Sequence, residues 1–344
     1  MRTVDITEIM LNRRQFLTGF GQTLLSTQFS PITANANGAL LKPPRLKPGD
    51  TVGLVTPASP VKKSYLKLIQ SQLARQQLNL KVAPHAFDEY GYLAGVDQNR
   101  AADIHRFFAD TSVQALVATG GGWGSSRILP LLDYDLIRRN PKIVLGYSDI
   151  TALLLGIYSR SGVVTFHGLL GTSIWNPFSV GYLKRLLFEG EAITFQNSAE
   201  VRVETITSGQ ARGRLLGGNL SVISTLVGSL YLPDWNQAIL FVEDTGEDVY
   251  RVDRMLTHLK LAGILQQLSG FIFGQCTRCL DEEDDSPTLS LWQVLSDHIR
   301  PLGIPAWYGS MIGHIPNQFT VPQGVEVEID ASLGRIKMLE TAVI

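Results

Sequence analysis

The chain has only two cysteines among 344 residues, Cys276 and Cys279, spaced C-x-x-C. Two thiols alone cannot complete a tetrahedral zinc site, which excludes a zinc-finger or ribbon frame. A buried, strand-like run at 270–276 makes them core or strand-end thiols on the plainer reading, with a local disulfide after export as the alternative. Charge of one sign is also missing. Lys and Arg number 30 against 31 Asp and Glu, and no basic block occurs, which argues against nucleic acid or an anionic membrane surface as the main partner. There is no internal repeat and no low-complexity tract. The one N-terminal apolar stretch, Phe16 to Phe29, carries Gly, Gln, Thr and Ser and is too short for a stable membrane anchor.

What is present fits a soluble globular protein with 44% apolar and 18% charged residues, long enough for two domains. Residues 1–36 do not read as fold. Arg13-Arg14 followed by Phe16-Leu17, an apolar stretch, and the small residues Ala34-Asn35-Ala36 have the order of a twin-arginine export signal. A periplasmic location follows from that signal. Without it the chain would stay in the cytoplasm.

From Thr51 apolar strand-like runs alternate with helix-like runs. Strands are expected at 51–56, 80–83, 113–118 and 143–145, and helices after Pro60, over 99–109, over 125–132 and from Asp149. This alternation predicts an α/β fold with a mostly parallel sheet and helices on both faces. Active sites in such sheets lie at the carboxyl ends of the strands. The pattern changes after Gly171. Residues 37–175 read as the first domain, 176–210 as a linker and 211–344 as the second domain. In the second, strands are expected at 239–243, 270–274 and 325–329. A helix follows Glu247, with Val252, Met255, Leu256 and Leu259 on one face. Another follows the acidic run 281–285, with Ser286 as its cap.

Four elements carry candidate chemistry. The first is Gly146-Tyr147-Ser148-Asp149, where a buried strand turns into a helix. A serine on such a turn is pushed into the open above the sheet, and the helix start offers free backbone N–H groups to an oxyanion. The plainer alternative makes Ser148 a helix cap. The second is Gly120-Gly121-Gly122-Trp123-Gly124, a glycine-rich turn that suits an anion but lacks the spacing of a nucleotide motif. Arg127, one turn further on, suits a substrate carboxylate, an exposed helix arginine being the commoner outcome. The third is Glu243-Asp244 at the end of an apolar strand. The fourth is Gly313-His314. A serine nucleophile needs a base near neutrality and the base needs a carboxylate, so Ser148, Glu243 and His314 supply the set in the order Ser–acid–His. Among the other histidines His167, soon after the Ser148 helix, competes most strongly.

The ordered set Gly91–Gly95, Gly121–Gly124, Leu132–Tyr134, Gly146–Thr151, Gly217–Ser221, Val242–Asp244 and Gly313–His314 resembles the LD-carboxypeptidases. That serine peptidase family also holds the microcin-C self-immunity protein. The resemblance spans about residues 45 to 340. It implies a flavodoxin-like N-terminal domain and a C-terminal domain with a small swivelling β-barrel. It implies a Ser148–Glu243–His314 triad that needs no metal or cofactor, and a homodimer. The oxyanion hole would be formed by the backbone N–H of Asp149 with that of Gly121 or Gly122, and Trp123, Arg127 and His167 would reach the substrate. The implied reaction is release of terminal D-Ala from a murein tetrapeptide. Hydrolysis of peptidyl- or aminoacyl-nucleotide conjugates, and non-catalytic muropeptide binding, stand as alternatives. Gly120 replaces the family's arginine, Trp123 its tyrosine and Leu169 its proline, all outside the triad.

Overall fold

The computed structural model describes residues 40–279 and 287–344. The export reading of 1–36, the acidic run 281–285 and Ser286 lie outside the described residues.

The N-terminal half runs β1 (Thr51–Val55), α1 (Leu66–Arg75), β2 (Asn79–Val82), α2 (Asp97–Ala109), β3 (Ala115–Ala118), α3 (Ser125–Ile128), α4 (Tyr134–Arg139), β4 (Ile143–Gly146), α5 (Thr151–Ser161) and β5 (Phe166–His167). After α6 (Pro177–Leu187), β6 (Thr194–Phe195) and β7 (Glu204–Thr207), the chain continues through β8 (Gln210–Asn219), α7 (Leu220–Leu226), β9 (Ile239–Thr245), α8 (Val249–Leu261) and β10 (Gly270–Thr277). It ends with α9 (Leu291–Ile299), β11 (Ala306–Tyr308), β12 (Val321–Pro322), β13 (Glu326–Asp330) and β14 (Arg335–Met338).

The first sheet has the order β12-β5-β4-β3-β1-β2. Strands β1 to β5 are parallel in the flavodoxin-like sequence 2-1-3-4-5, and β12 joins antiparallel. Strands β3 and β4 are buried at every residue, as central parallel strands covered on both faces must be. The second sheet, β6-β14-β13-β8-β9-β10-β11-β7, is curled as a half-barrel and parallel through β8, β9, β10 and β11. One apolar cluster joins the two sheets: Leu54, Val117, Leu145 and Phe166 pack in it with Phe241, Ile272, Trp307 and Val327. Each such fully buried side chain contributes about 1.5–3 kcal/mol.

Helix α8 buries Val252, Met255, Leu256 and Leu259, the face expected from their spacing. Three expectations need correction. Residues 176–210 are not a bare linker. Asn176 caps α6 with Pro177 in its first turn, and β6 and β7 pair with β14 and β11. Glycines 213, 217 and 218 hide β8 from an apolar-alternation reading. They are needed because a Cβ at Gly217 would sit 1.7 Å from the Phe241 carbonyl oxygen. Helix α9 starts at a capping box of Ser290 and Gln293, beyond the expected cap at Ser286.

Candidate active site

Strand β4 ends at Gly146 and the chain reverses at once. A Cβ at Gly146 would lie 2.8 Å from Ile150, so only glycine fits under the turn. Ser148 then sits at φ +64°, a left-handed conformation that side-chain-bearing residues seldom adopt. It is partly exposed, while Asp149 and Ile150 beside it are buried. Such strain persists where the surroundings over-determine it, and a strand-to-helix turn of this kind lifts the hydroxyl clear of the sheet.

The surroundings are specific. The buried Asp149 carboxylate accepts from the Ser125 backbone N–H at 2.8 Å and from Ser125 Oγ at 2.7 Å, tying the glycine-rich turn to the serine turn. Burial raises the Asp149 pKa and the Ser125 hydrogen bonds oppose that rise. Arg100, fully buried, donates to the carbonyls of Pro57 and of Gly124, the latter at 2.9 Å. Ser59 Oγ accepts from the Trp123 N–H at 3.0 Å. The turns after β1, β3 and β4 are thereby fixed together. A Cβ at Gly121 would lie 2.9 Å from Ser148 Oγ, so bare backbone faces the hydroxyl. Asp149 stands in the first turn of a helical segment, where backbone N–H groups lack helical partners.

The second sheet brings the acid and the imidazole. Glu243, fully buried near the end of β9, takes His314 Nδ1 at 2.7 Å. Burial raises the Glu243 pKa and the His314 contact lowers it. The His314 ring packs edge-on against Tyr147 at 4.8 Å between centroids, which sets it beside the serine turn. No Ser148–His314 hydrogen bond is formed in this structure. Such bonds are often long before substrate binds. Thr277 Oγ1 donates to the His314 carbonyl at 2.9 Å. Gly313, at φ +120°, is indispensable to this arrangement, because its Cβ would fall 2.8 Å from Glu243 Oε2. Gly313→Ala is therefore expected to lower kcat by about 10²-fold or more through displacement of His314, a loss of several kcal/mol in transition-state stabilisation. Wild-type kcat in that variant would show that the backbone here does not position the imidazole.

A cleft of about 250 Å³ opens over Ser148, lined among others by Trp123, Asn219, Ser221, Asp244 and Glu247. Trp123 is 44% exposed and stands at its edge. Asn219, Ser221 and Asp244 belong to matched motifs but have no role legible in the sequence. The structure joins them: Asn219 Nδ2 and Ser221 Oγ donate to Asp244 at 3.0 and 2.7 Å, and Thr151 Oγ1 accepts from the Asn219 N–H at 2.9 Å. This network holds the end of β8 on the helix that starts beside Ser148.

Two substrate contacts expected from sequence are corrected. Arg127 forks onto Asp97, with Nε and Nη2 at 3.1 and 2.9 Å, and does not line the cleft. His167 is fully buried between Tyr147 and Phe241, where burial pushes its imidazole down to about 3. Pairing of β5 with both β4 and β12 holds it inside the sheet, out of reach of substrate. Cys276 and Cys279 are joined as a disulfide, not left as strand-end thiols. Arg278 at φ +59° turns the chain so that their Cα atoms stand 5.3 Å apart. Among the described residues no group of three or more His, Cys, Asp or Glu is placed to hold a metal ion, and no helix is long and apolar enough to cross a membrane.

Comparison with known proteins gives consistent matches. Residues 52–168 match the model of the LD-carboxypeptidase N-terminal domain, and residues 212–329 that of the LD-carboxypeptidase C-terminal domain. The chain is 38% identical over 296 residues to the protein named probable murein peptide carboxypeptidase of Bacillus subtilis, covering 85% of this chain and 92% of that one. It is 28% identical to the murein tetrapeptide carboxypeptidase of Pseudomonas aeruginosa, over 79% of this chain and 91% of that one. Among solved structures, the microcin C7 self-immunity protein MccF without ligand superposes with a TM-score of 0.81 at 25% identity, over 88% of this chain and all of that one.

Proposed function

The chain belongs to the LD-carboxypeptidase family of serine peptidases, and from that membership we propose that it releases the terminal D-alanine of a murein tetrapeptide through Ser148, His314 and Glu243. The observation that carries the reading is the pairing of two independent constraints. A serine is held at φ +64° at the carboxyl end of β4, and an imidazole beside that turn is tied by Nδ1 to a buried carboxylate. With Nδ1 engaged, Nε2 is the nitrogen left to accept a proton.

In this mechanism His314 Nε2 takes the proton of Ser148 Oγ as the oxygen attacks the carbonyl carbon between the diamino acid and D-alanine. Charge on the carbonyl oxygen is met by the N–H of Asp149 and that of Gly121 or Gly122. The imidazolium returns its proton to the departing amine, D-alanine leaves, and an acyl-enzyme remains on Ser148. His314 then takes a proton from water as it attacks the ester, and returns that proton to Ser148 Oγ as the tripeptide leaves. Glu243 holds the tautomer and stabilises the imidazolium. The test follows free D-alanine by mass spectrometry after incubation with murein tetrapeptide in EDTA. Release that disappears in Ser148→Ala supports the reading; none from the folded wild-type chain overturns it.

A second reading keeps the machinery and changes the substrate. Trp123 presents its ring at the cleft edge, where a nucleobase can stack, and MccF, similar in fold, has been solved with aspartyl sulfamoyl adenosine. Hydrolysis of an aminoacyl-nucleotide conjugate, with muropeptides untouched, would replace the first reading by this one. Export through Arg13-Arg14 completes the proposal. A Lys-Lys pair at 13–14 is expected to retain the chain in the cytosolic fraction, and unchanged fractionation would remove the periplasmic assignment.

A further inference from the structure

The imidazole of His314 rides on a backbone segment that hangs from the end of β10. Gly309 donates its N–H to the Phe273 carbonyl at 2.9 Å, and its own carbonyl accepts from Gln275 Nε2 at 2.8 Å. The Gln275 N–H donates to the Ile312 carbonyl at 2.9 Å. The last tie is made by a side chain, Thr277 Oγ1, which donates to the carbonyl of His314 itself at 2.9 Å. Thr277 also grips the strand of the acid. Its carbonyl accepts from the Gly246 N–H at 2.9 Å and from Thr245 Oγ1 at 3.1 Å, just past Glu243. One residue is thereby bonded to the backbone that carries the imidazole and to the strand end that carries the carboxylate.

Regular pairing alone does not hold Thr277 there. The register of β10 against β9 shifts between Phe273 and Cys276, and β10 ends at Thr277. The next residue, Arg278, is exposed and stands at φ +59°, where a side chain is disfavoured. The Cys276–Cys279 disulfide closes the chain around these two residues. A cross-link over so short a loop leaves few conformations other than this turn.

We propose that Thr277 is a positioning residue for His314 and that the Cys276–Cys279 disulfide holds it in register, so that the oxidised chain is the competent enzyme and a dithiol turns it down. The inference rests on the reading above, in which His314 is the base. Opening the bond is a two-electron exchange. One thiolate of the dithiol attacks a cysteine sulfur, and the other cysteine leaves as thiolate. The second thiolate of the dithiol then attacks the reagent's own sulfur in the mixed disulfide and releases the remaining cysteine. The dithiol is oxidised to a cyclic disulfide, and its two protons pass to the two cysteine thiolates.

The experiment follows D-alanine release from murein tetrapeptide with and without dithiothreitol, with free thiols counted by alkylation and mass spectrometry. Wild type with both thiols free is expected to lose about ten-fold in kcat with KM little changed, and to recover on reoxidation. Thr277→Val, which removes the donor, should lose a similar factor while oxidised, and Thr277→Ser, which keeps it, should regain most of the rate. Because the disulfide acts through Thr277, reducing Thr277→Val should cost little more. The double variant Cys276→Ser, Cys279→Ser should show the loss without any response to the reagent. Losses that multiply, a Thr277→Ser chain as slow as Thr277→Val, or an effect confined to KM would overturn the proposal. So would wild-type kcat in the double cysteine variant, which also decides the matter should the reagent fail to open the bond. Should no chain release D-alanine, the reaction assignment fails, and hydrogen exchange of the peptide spanning 309–315 judges the turn by itself. Exchange about ten-fold faster in both Thr277→Val and reduced wild type upholds the positioning role; unchanged exchange ends it.

Discussion

Ser148→Gly is expected to lose about 10⁴-fold or more in turnover and yet unfold no more easily than wild type. The first half follows from the proposed role of Ser148 as nucleophile of a triad, in which deleting the serine costs about as much as losing all three members. The second half follows from the backbone. A side chain at φ +64° costs about 1–2 kcal/mol that glycine does not. Glycine in turn loses more chain entropy on folding, about 0.5–1 kcal/mol. The difference favours the variant slightly. Ser148→Ala keeps a Cβ, and with it the strain, so it should be equally inactive and no more stable than wild type. Thermal unfolding of the three chains beside their D-alanine release checks both halves. Retained turnover in either variant would remove Ser148 as nucleophile. A glycine variant markedly less stable than the alanine one would show that the turn is not strained.

Much of the N-terminal half was legible because its constraints are local. Buried parallel strands read as continuous apolar runs, and Gly146 followed by Ser148 and Asp149 marks a strand-to-helix reversal within four residues. The parallel sheet and the position of the serine at a strand's carboxyl end follow from that alternation, whereas the flavodoxin-like architecture is implied by the family resemblance. The acid and the imidazole were legible only as a sequence of motifs. Their pairing joins residues 71 positions apart and depends on Gly313 passing over Glu243, which no local pattern announces. The same holds for Arg127 and Asp97, 30 positions apart, whose fork removes a charge the sequence offers to substrate. His167 has the opposite problem. A histidine beside a reactive turn looks functional in sequence, and only the pairing of β12 with β5 shows it sealed inside the sheet. Strand β8 is hidden because close approach to Phe241 of β9 requires glycine at 217 and close approach to Thr151 of α5 requires glycine at 218, and the two erase the alternation by which a strand is recognised.

Glu243→Gln is expected to lower kcat by about 10³- to 10⁴-fold while making the protein more stable at neutral pH. Glutamine can still meet Nδ1, but in the proposed mechanism it would neither fix the required tautomer nor stabilise the imidazolium formed as Ser148 attacks. The stability effect has its own sign. Burial raises the Glu243 pKa above the ordinary glutamate value of 4.5, with His314 opposing. Between that value and the folded one, the folded chain holds a proton that the unfolded chain has released. Stability attributable to this group is therefore full below 4.5, declines as pH rises through the folded value, and levels off above it. Glutamine carries no such proton, so the gap between variant and wild type should widen with rising pH from about 4.5 and then stay constant. Urea unfolding at a series of pH values measures the gap directly. A variant less stable than wild type at pH 8, or a gap that does not change with pH, would mean that the His314 contact outweighs burial and that the carboxylate stabilises the fold as well as the transition state.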